Sequence, residues 1–162
     1  MQALQKRHIK PGDRYNKLFP KSHRQDIVIK GAGKGKLHHT INLIRDVVWE
    51  TREDTKLLAK LLEGKNLEET CRNTWEFVYG HINCRRDKPG IEQVRRPSRT
   101  WADRKKGVDC DGYTVFISSI LTNLGIPHSI RITKYNGKRY FQHIYPIVHS
   151  NGKLKEEPLA IL

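Results

Sequence analysis

The stretch Val108–Tyr135 reads VDCDGYTVFISSILTNLGIPHSIRITKY, and its periodicity decides the architecture. From Cys110 to Leu124 the apolar residues Val115, Phe116, Ile120, Leu121 and Leu124 recur at helical spacing. Gly125 stands where a C′ glycine stops a helix, with Pro127 just beyond. The period then changes. Over Ser129–Tyr135, Ile130 and Ile132 alternate with polar residues, as on a strand with one buried face. Asn136-Gly137 is the strongest short hairpin signal, and Tyr140–His149 is the expected return strand. A second Asn-Gly, Asn151-Gly152, predicts a further turn and a third strand.

Outward from this core, Asp54–Glu63 (DTKLLAKLLE) predicts a helix with Leu57, Leu58, Leu61 and Leu62 on one face and Gly64 at its end. A second helix is expected from Asn66 to about His81, with Asn66 and Glu69 as a capping box. Its stripe would bury Leu67, Cys71, Trp75 and Val78, with Cys71 as a small hydrophobe rather than a reactive thiol. Residues 85–109 lack periodicity, carry Pro89, Gly90 and Pro97, and read as a long functional loop. Asp26–Lys30 (DIVIK) suits a short strand, followed by the turn GAGKGK. That turn is no phosphate loop, because Lys36 is followed by Leu37 and the glycine spacing is short. Helices followed by an antiparallel meander make the fold class α+β.

The length of 162 residues suits one domain. Net charge is +14, and its distribution is uneven. Residues 1–36 hold ten Lys/Arg against two acids, and read as a basic, flexible arm ahead of a domain over 37–162. The aperiodic 1–25 are expected to contribute few core contacts. Arg95, Arg96, Arg99, Arg104, Lys105 and Lys106 form a second basic cluster. Such charge attracts nucleic acid or another polyanion, or else merely solvates the surface. The three cysteines contain no CxxC pair, which favours a reducing compartment. The N-terminus has no apolar h-region, and no apolar run approaches the ~20 residues of a membrane span. A cytoplasmic protein without membrane partners is expected. His38-His39, His128 and His149 have no carboxylate at ligand spacing, so neither metal nor other cofactor is expected.

Chemistry concentrates at Cys110. A helix N-terminus favours negative charge and so lowers a thiol pKa, although Asp109 and Asp111 oppose this if they point inward. A thiolate needs a base, and His143 in the apolar-aromatic run of the return strand can supply one if that strand packs on the helix. Gln93 and Trp101 of the preceding loop are candidates for a second oxyanion donor or a substrate contact.

Gly107-Val108-Asp109-Cys110, the amphipathic helix, Leu124-Gly125-Ile126-Pro127, a strand, and then His143 together resemble the transglutaminase-like superfamily. His81-Ile82, Arg86-Asp87 and the Pro-bearing loop fit as well, so the likeness spans about residues 54–150. The resemblance implies a papain-like core, with the Cys110 helix packed on an antiparallel meander. It also implies a thioester acyl-enzyme acting on amide or peptide bonds of a protein or peptide substrate. Hydrolysis is favoured over amine transfer, because nothing marks an amine pocket. The family's third catalytic member is an Asp on the next strand, and this chain carries no Asp after position 111. Either Glu157, with Glu156 beside it, orients His143, or the domain is C-terminally incomplete. The alternative from another class is an inactive module of the same fold that binds nucleic acid or a phage or prophage assembly through its basic arm, where Tyr15 and Phe19 suit stacking.

Overall fold

Burial against one central helix explains most of the architecture. The computed structural model describes residues 7–22, 27–30, 37–86, 91–134, 136–139, 143–149 and 158–161. In chain order these form a 3-10 helix (Asp13–Leu18), β1 (Ile27–Lys30), α1 (Leu37–Thr51), a second 3-10 helix (Arg52–Thr55), α2 (Lys56–Leu62) and α3 (Leu67–His81). Then come β2 (Ile91–Val94), α4 (Pro97–Ala102), α5 (Cys110–Asn123), β3 (His128–Thr133), β4 (His143–His149) and β5 (Pro158–Ile161). The fold is α+β. One antiparallel sheet pairs β1 with β2, and another has the order β3-β4-β5.

The central helix is α5, which touches α1, α2, α3, α4, β2, β3 and β4. Its sequence is rich in β-branched residues, which are mediocre helix formers. Tertiary burial overrides that preference: Val115, Phe116, Ile120 and Leu121 are fully buried, and each such side chain contributes roughly 1.5–3 kcal/mol relative to exposure. Ser119 and Thr122 bury their hydroxyls by donating to the carbonyls of Phe116 (2.8 Å) and Ser118 (2.7 Å). One apolar cluster lies toward α2, α3 and α4, the other toward α1, β2 and the β3-β4 pair. Gly125 (φ 66°) ends α5, and Asn136 (φ 55°) with Gly137 (φ 66°) takes the doubly left-handed form of a tight hairpin turn. Expected strand Ser129–Tyr135 appears as His128–Thr133, and of the return strand His143–His149 is described. The third strand is β5, which opens on Pro158.

Several expectations need correction. Helix α1 had no counterpart in the sequence reading; its β-branched Ile44, Val47 and Val48 become helical because they are buried. On α2 the leucines divide: Leu58, Ala59 and Leu62 face the core, while Leu57 and Leu61 are 51% and 56% exposed. Four leucines at this spacing offer two faces, and only one meets α5. On α3 the Asn66 half of the expected box is present, Asn66 Oδ1 accepting from Glu69 N at 2.8 Å, whereas Glu69 Oε2 accepts from the preceding Lys65 N at 3.2 Å and not from Asn66 N. Its buried face, however, carries Thr70, Cys71, Thr74, Phe77, Val78 and His81, and Trp75 is exposed and stacked on Tyr79. The expected loop 85–109 contains β2 and α4.

The largest correction concerns the arm. Residues 7–22 lie on the domain. Gly12 is buried so closely under Trp101 that a Cβ there would come within 2.9 Å of the indole. Tyr15, Leu18 and Phe19 pack on the core, Phe19 stacking on Trp101 with ring centres 4.8 Å apart. Asn16 Oδ1 accepts from Trp101 Nε1 (2.9 Å), Asp13 pairs with Arg104 (2.6 Å), and Lys10 N donates to Gly80 O (2.7 Å). The basic composition disguised three apolar anchors. Ile27–Lys30, also assigned to the arm, pairs in register with Ile91–Val94.

Candidate active site

Cys110 is the first residue of α5. Asp109 caps the helix by accepting from Gly112 N at 3.1 Å, so the Cys110 N–H has no acceptor within the helix. The half-buried thiol sits among the apolar cluster of Val94, Val115 and Ile144. The backbone N–H of Ile144 approaches Sγ, and Asp111 Oδ1 lies 4.0 Å away. Burial, followed by the Asp111 carboxylate, pushes the thiol up to about 12; Asp109 adds to the rise and the Ile144 N–H opposes it. The expected lowering by the helix terminus is therefore outweighed, and Cys110 is a thiol rather than a thiolate near neutral pH.

His143 opens β4, the strand that packs on α5, and Thr114 Oγ1 ties the two elements by donating to Ile144 O at 3.2 Å. His143 is exposed, with its ring 5.1 Å from that of Tyr145, while Ile144 takes the buried position. Burial lowers its pKa, so the imidazole is neutral near pH 7. The Cys110 thiol thus lies beside the peptide joining His143 to Ile144, while the His143 side chain, alternating with that of Ile144, leaves the other face of the strand. Among the described residues no hydrogen bond links the two side chains.

The other candidates fare differently. Trp101 is 3% exposed and serves as the anchor for residues 12–19, so it cannot line a substrate path. Gln93 lies on β2, and its Oε1 accepts from Arg95 NH2. Arg95 and Arg99 both bind Asp103, and Arg96 holds the buried Asp54 in a two-point pair of 2.8 and 2.9 Å. These arginines are structural, and Lys105 and Lys106 are the exposed cations of that cluster. Glu156 and Glu157 lie outside the described residues. The residue after them, Pro158, pairs with His149, at the opposite end of β4 from His143 and about 20 Å along the strand.

Asp111 was expected to oppose ionisation of the thiol, and does; Tyr145 was not singled out. Tyr145 was legible, because a residue two positions from His143 shares its strand face. No group of three metal-ligating side chains gathers among the described residues, and no described helix is long and apolar enough to cross a membrane. Comparison with family models, with characterised proteins and with solved structures returns no match.

Proposed function

We propose that the chain is a transglutaminase-like cysteine enzyme that cleaves amide or peptide bonds through a thioester on Cys110. The observation that supports this reading is the thiol of Cys110, first on its helix, beside the His143–Ile144 peptide of the strand packed against that helix. The protonated thiol and neutral imidazole assign the proton. His143 swings from Tyr145 and takes the Sγ proton as sulfur attacks the carbonyl carbon, then returns it to the departing amine. The Cys110 N–H, free of a helical acceptor, stabilises the carbonyl oxygen as it gains charge. Water deprotonated by His143 then adds to the thioester, releasing the acid and restoring the thiol. Catalytic hydrogen bonds commonly tighten only with substrate bound, so the disengaged ring is compatible with this role. Glu157 is assigned no contact.

A second reading has its own support. A thiol pushed up to about 12 and not bonded to His143 suits an inherited fold whose chemistry has lapsed. Such a module would bind nucleic acid or an assembly through its +14 charge. Iodoacetamide labelling, mapped by peptide and followed against pH, separates the two. For the enzyme, Cys110 labels below its resting titration in the presence of a peptide amide, and His143→Ala removes the enhancement. Labelling indifferent to His143 and to peptide, with salt-sensitive retention on DNA, overturns it in favour of the module.

A further inference from the structure

On the side of the molecule formed by residues 10–15, α2 and α3, a broad open cleft of about 770 Å³ lies apart from Cys110. Its chemistry is ordered. Leu61, Tyr15 and Phe77 give it an apolar wall. His81 also lines it, although the residue is 94% buried by virtue of its 6% exposure. The ring has Phe77 and Tyr15 against it at 4.6 and 5.3 Å. Its Nδ1 donates to Phe77 O at 2.8 Å, so Nε2 is an acceptor, and Nε2 makes no hydrogen bond among the described residues. Burial, helped by the nearby cations Lys10, Arg14 and Arg104, outweighs the Phe77 carbonyl and lowers the imidazole pKa.

The rim supplies charge. Lys10 and Arg14 are exposed and line the opening, while the Asp13 carboxylate beside them is engaged by Arg104. Glu76, also lining the opening, opposes any anion and disfavours a doubly charged one such as phosphate more than a singly charged carboxylate. Asn73 donates to Leu62 O at 3.0 Å and keeps its own carbonyl as a further acceptor.

An apolar wall, a buried acceptor and two cations in sequence match one common chemical group. We propose that this cleft binds the C-terminal residue of a peptide, its carboxylate between Lys10 and Arg14, its amide N–H on His81 Nε2 and an apolar side chain on Leu61 and Phe77. The site does not depend on the Cys110 reading, and Cys110→Ala leaves it intact. The test titrates the 15N-labelled full chain with N-acetyl-Ala-Leu as free acid and as C-terminal amide. The acid shifts the amide signals of Phe77, Gly80 and His81 saturably, and the uncharged amide binds at least about tenfold more weakly. Lys10→Ala with Arg14→Ala, both on the exposed rim, abolishes the difference, and His81→Gln weakens both ligands. Equal binding of acid and amide, shifts centred elsewhere, or no saturable shift overturns the proposal.

Discussion

The two ends of the connection from Trp101 to Cys110 have opposite characters. Around Trp101, the indole N–H has Asn16, its faces have Phe19 and Phe77, and the neighbouring arginines have Asp13, Asp54 and Asp103. Around Cys110, a thiol is buried beside a carboxylate that disfavours its ionisation, and the nearest imidazole is turned onto Tyr145. Packing is concentrated at the first place and a nucleophile held in its protonated form at the second. A region knit by ring stacking and ion pairs resists change, and a protonated nucleophile held by the same scaffold can react.

Substitutions at each end test the division. The largest effect is expected from Cys110→Ala, which abolishes turnover of a peptide amide while the thermal transition stays nearly in place. His143→Ala should cost about 10²–10⁴ in turnover, a loss read from kcat at saturating substrate. At the stable end, Trp101→Ala is expected to cost about 3–5 kcal/mol in urea unfolding without altering the pH profile of Cys110 labelling. A loss well under 1 kcal/mol would break the comparison, because residues 12–19 would then have no anchor there.

Arg96→Ala strands the Asp54 carboxylate and should cost about 2–4 kcal/mol near neutral pH, a figure moderated because Arg96 is a third exposed. Burial raises the Asp54 pKa, but hydrogen bonds from Arg96 and Ser98 outweigh it and hold the carboxyl below its usual value. Its folded value therefore lies below its unfolded one. The stabilisation is complete above the unfolded pKa of about 3.9 and disappears as pH falls through the folded value. Unfolding followed from pH 6 to 2 should show a shallower acid limb in the variant. Asp111→Asn removes a charge beside Sγ, so the labelling midpoint of Cys110 should move down in pH. No movement would mean that burial alone sets the thiol. The smallest effect is expected from Glu157→Gln, which should leave turnover within about threefold of the parent.

Much of the arrangement was legible because short-range rules carry it. Cys110 at a helix start, the Gly125 stop, the Asn136-Gly137 turn and the Asn66/Glu69 box each rest on local backbone chemistry, where one or two residues suffice. Helix α1, the exposed Leu57, Leu61 and Trp75, and the docking of residues 7–22 were not legible in that way. Each depends on which of several apolar faces meets α5, and composition does not rank them. The basic run from Lys6 to Lys36 argued for a free arm, yet Tyr15, Leu18 and Phe19 decide its place by burial.

At the candidate site, the sequence by itself determined the residue types and the elements that carry them: a cysteine opening a helix and a histidine on the strand beyond the hairpin. Tertiary structure alone decided their state. Whether a helix-start thiol ionises depends on how deeply α1, β2 and β4 bury it and on where the Asp111 carboxylate comes to rest. Desolvation outweighs the helix terminus, with the adjacent Asp111 carboxylate adding to it, and the desolvation is set by packing between segments distant in the chain.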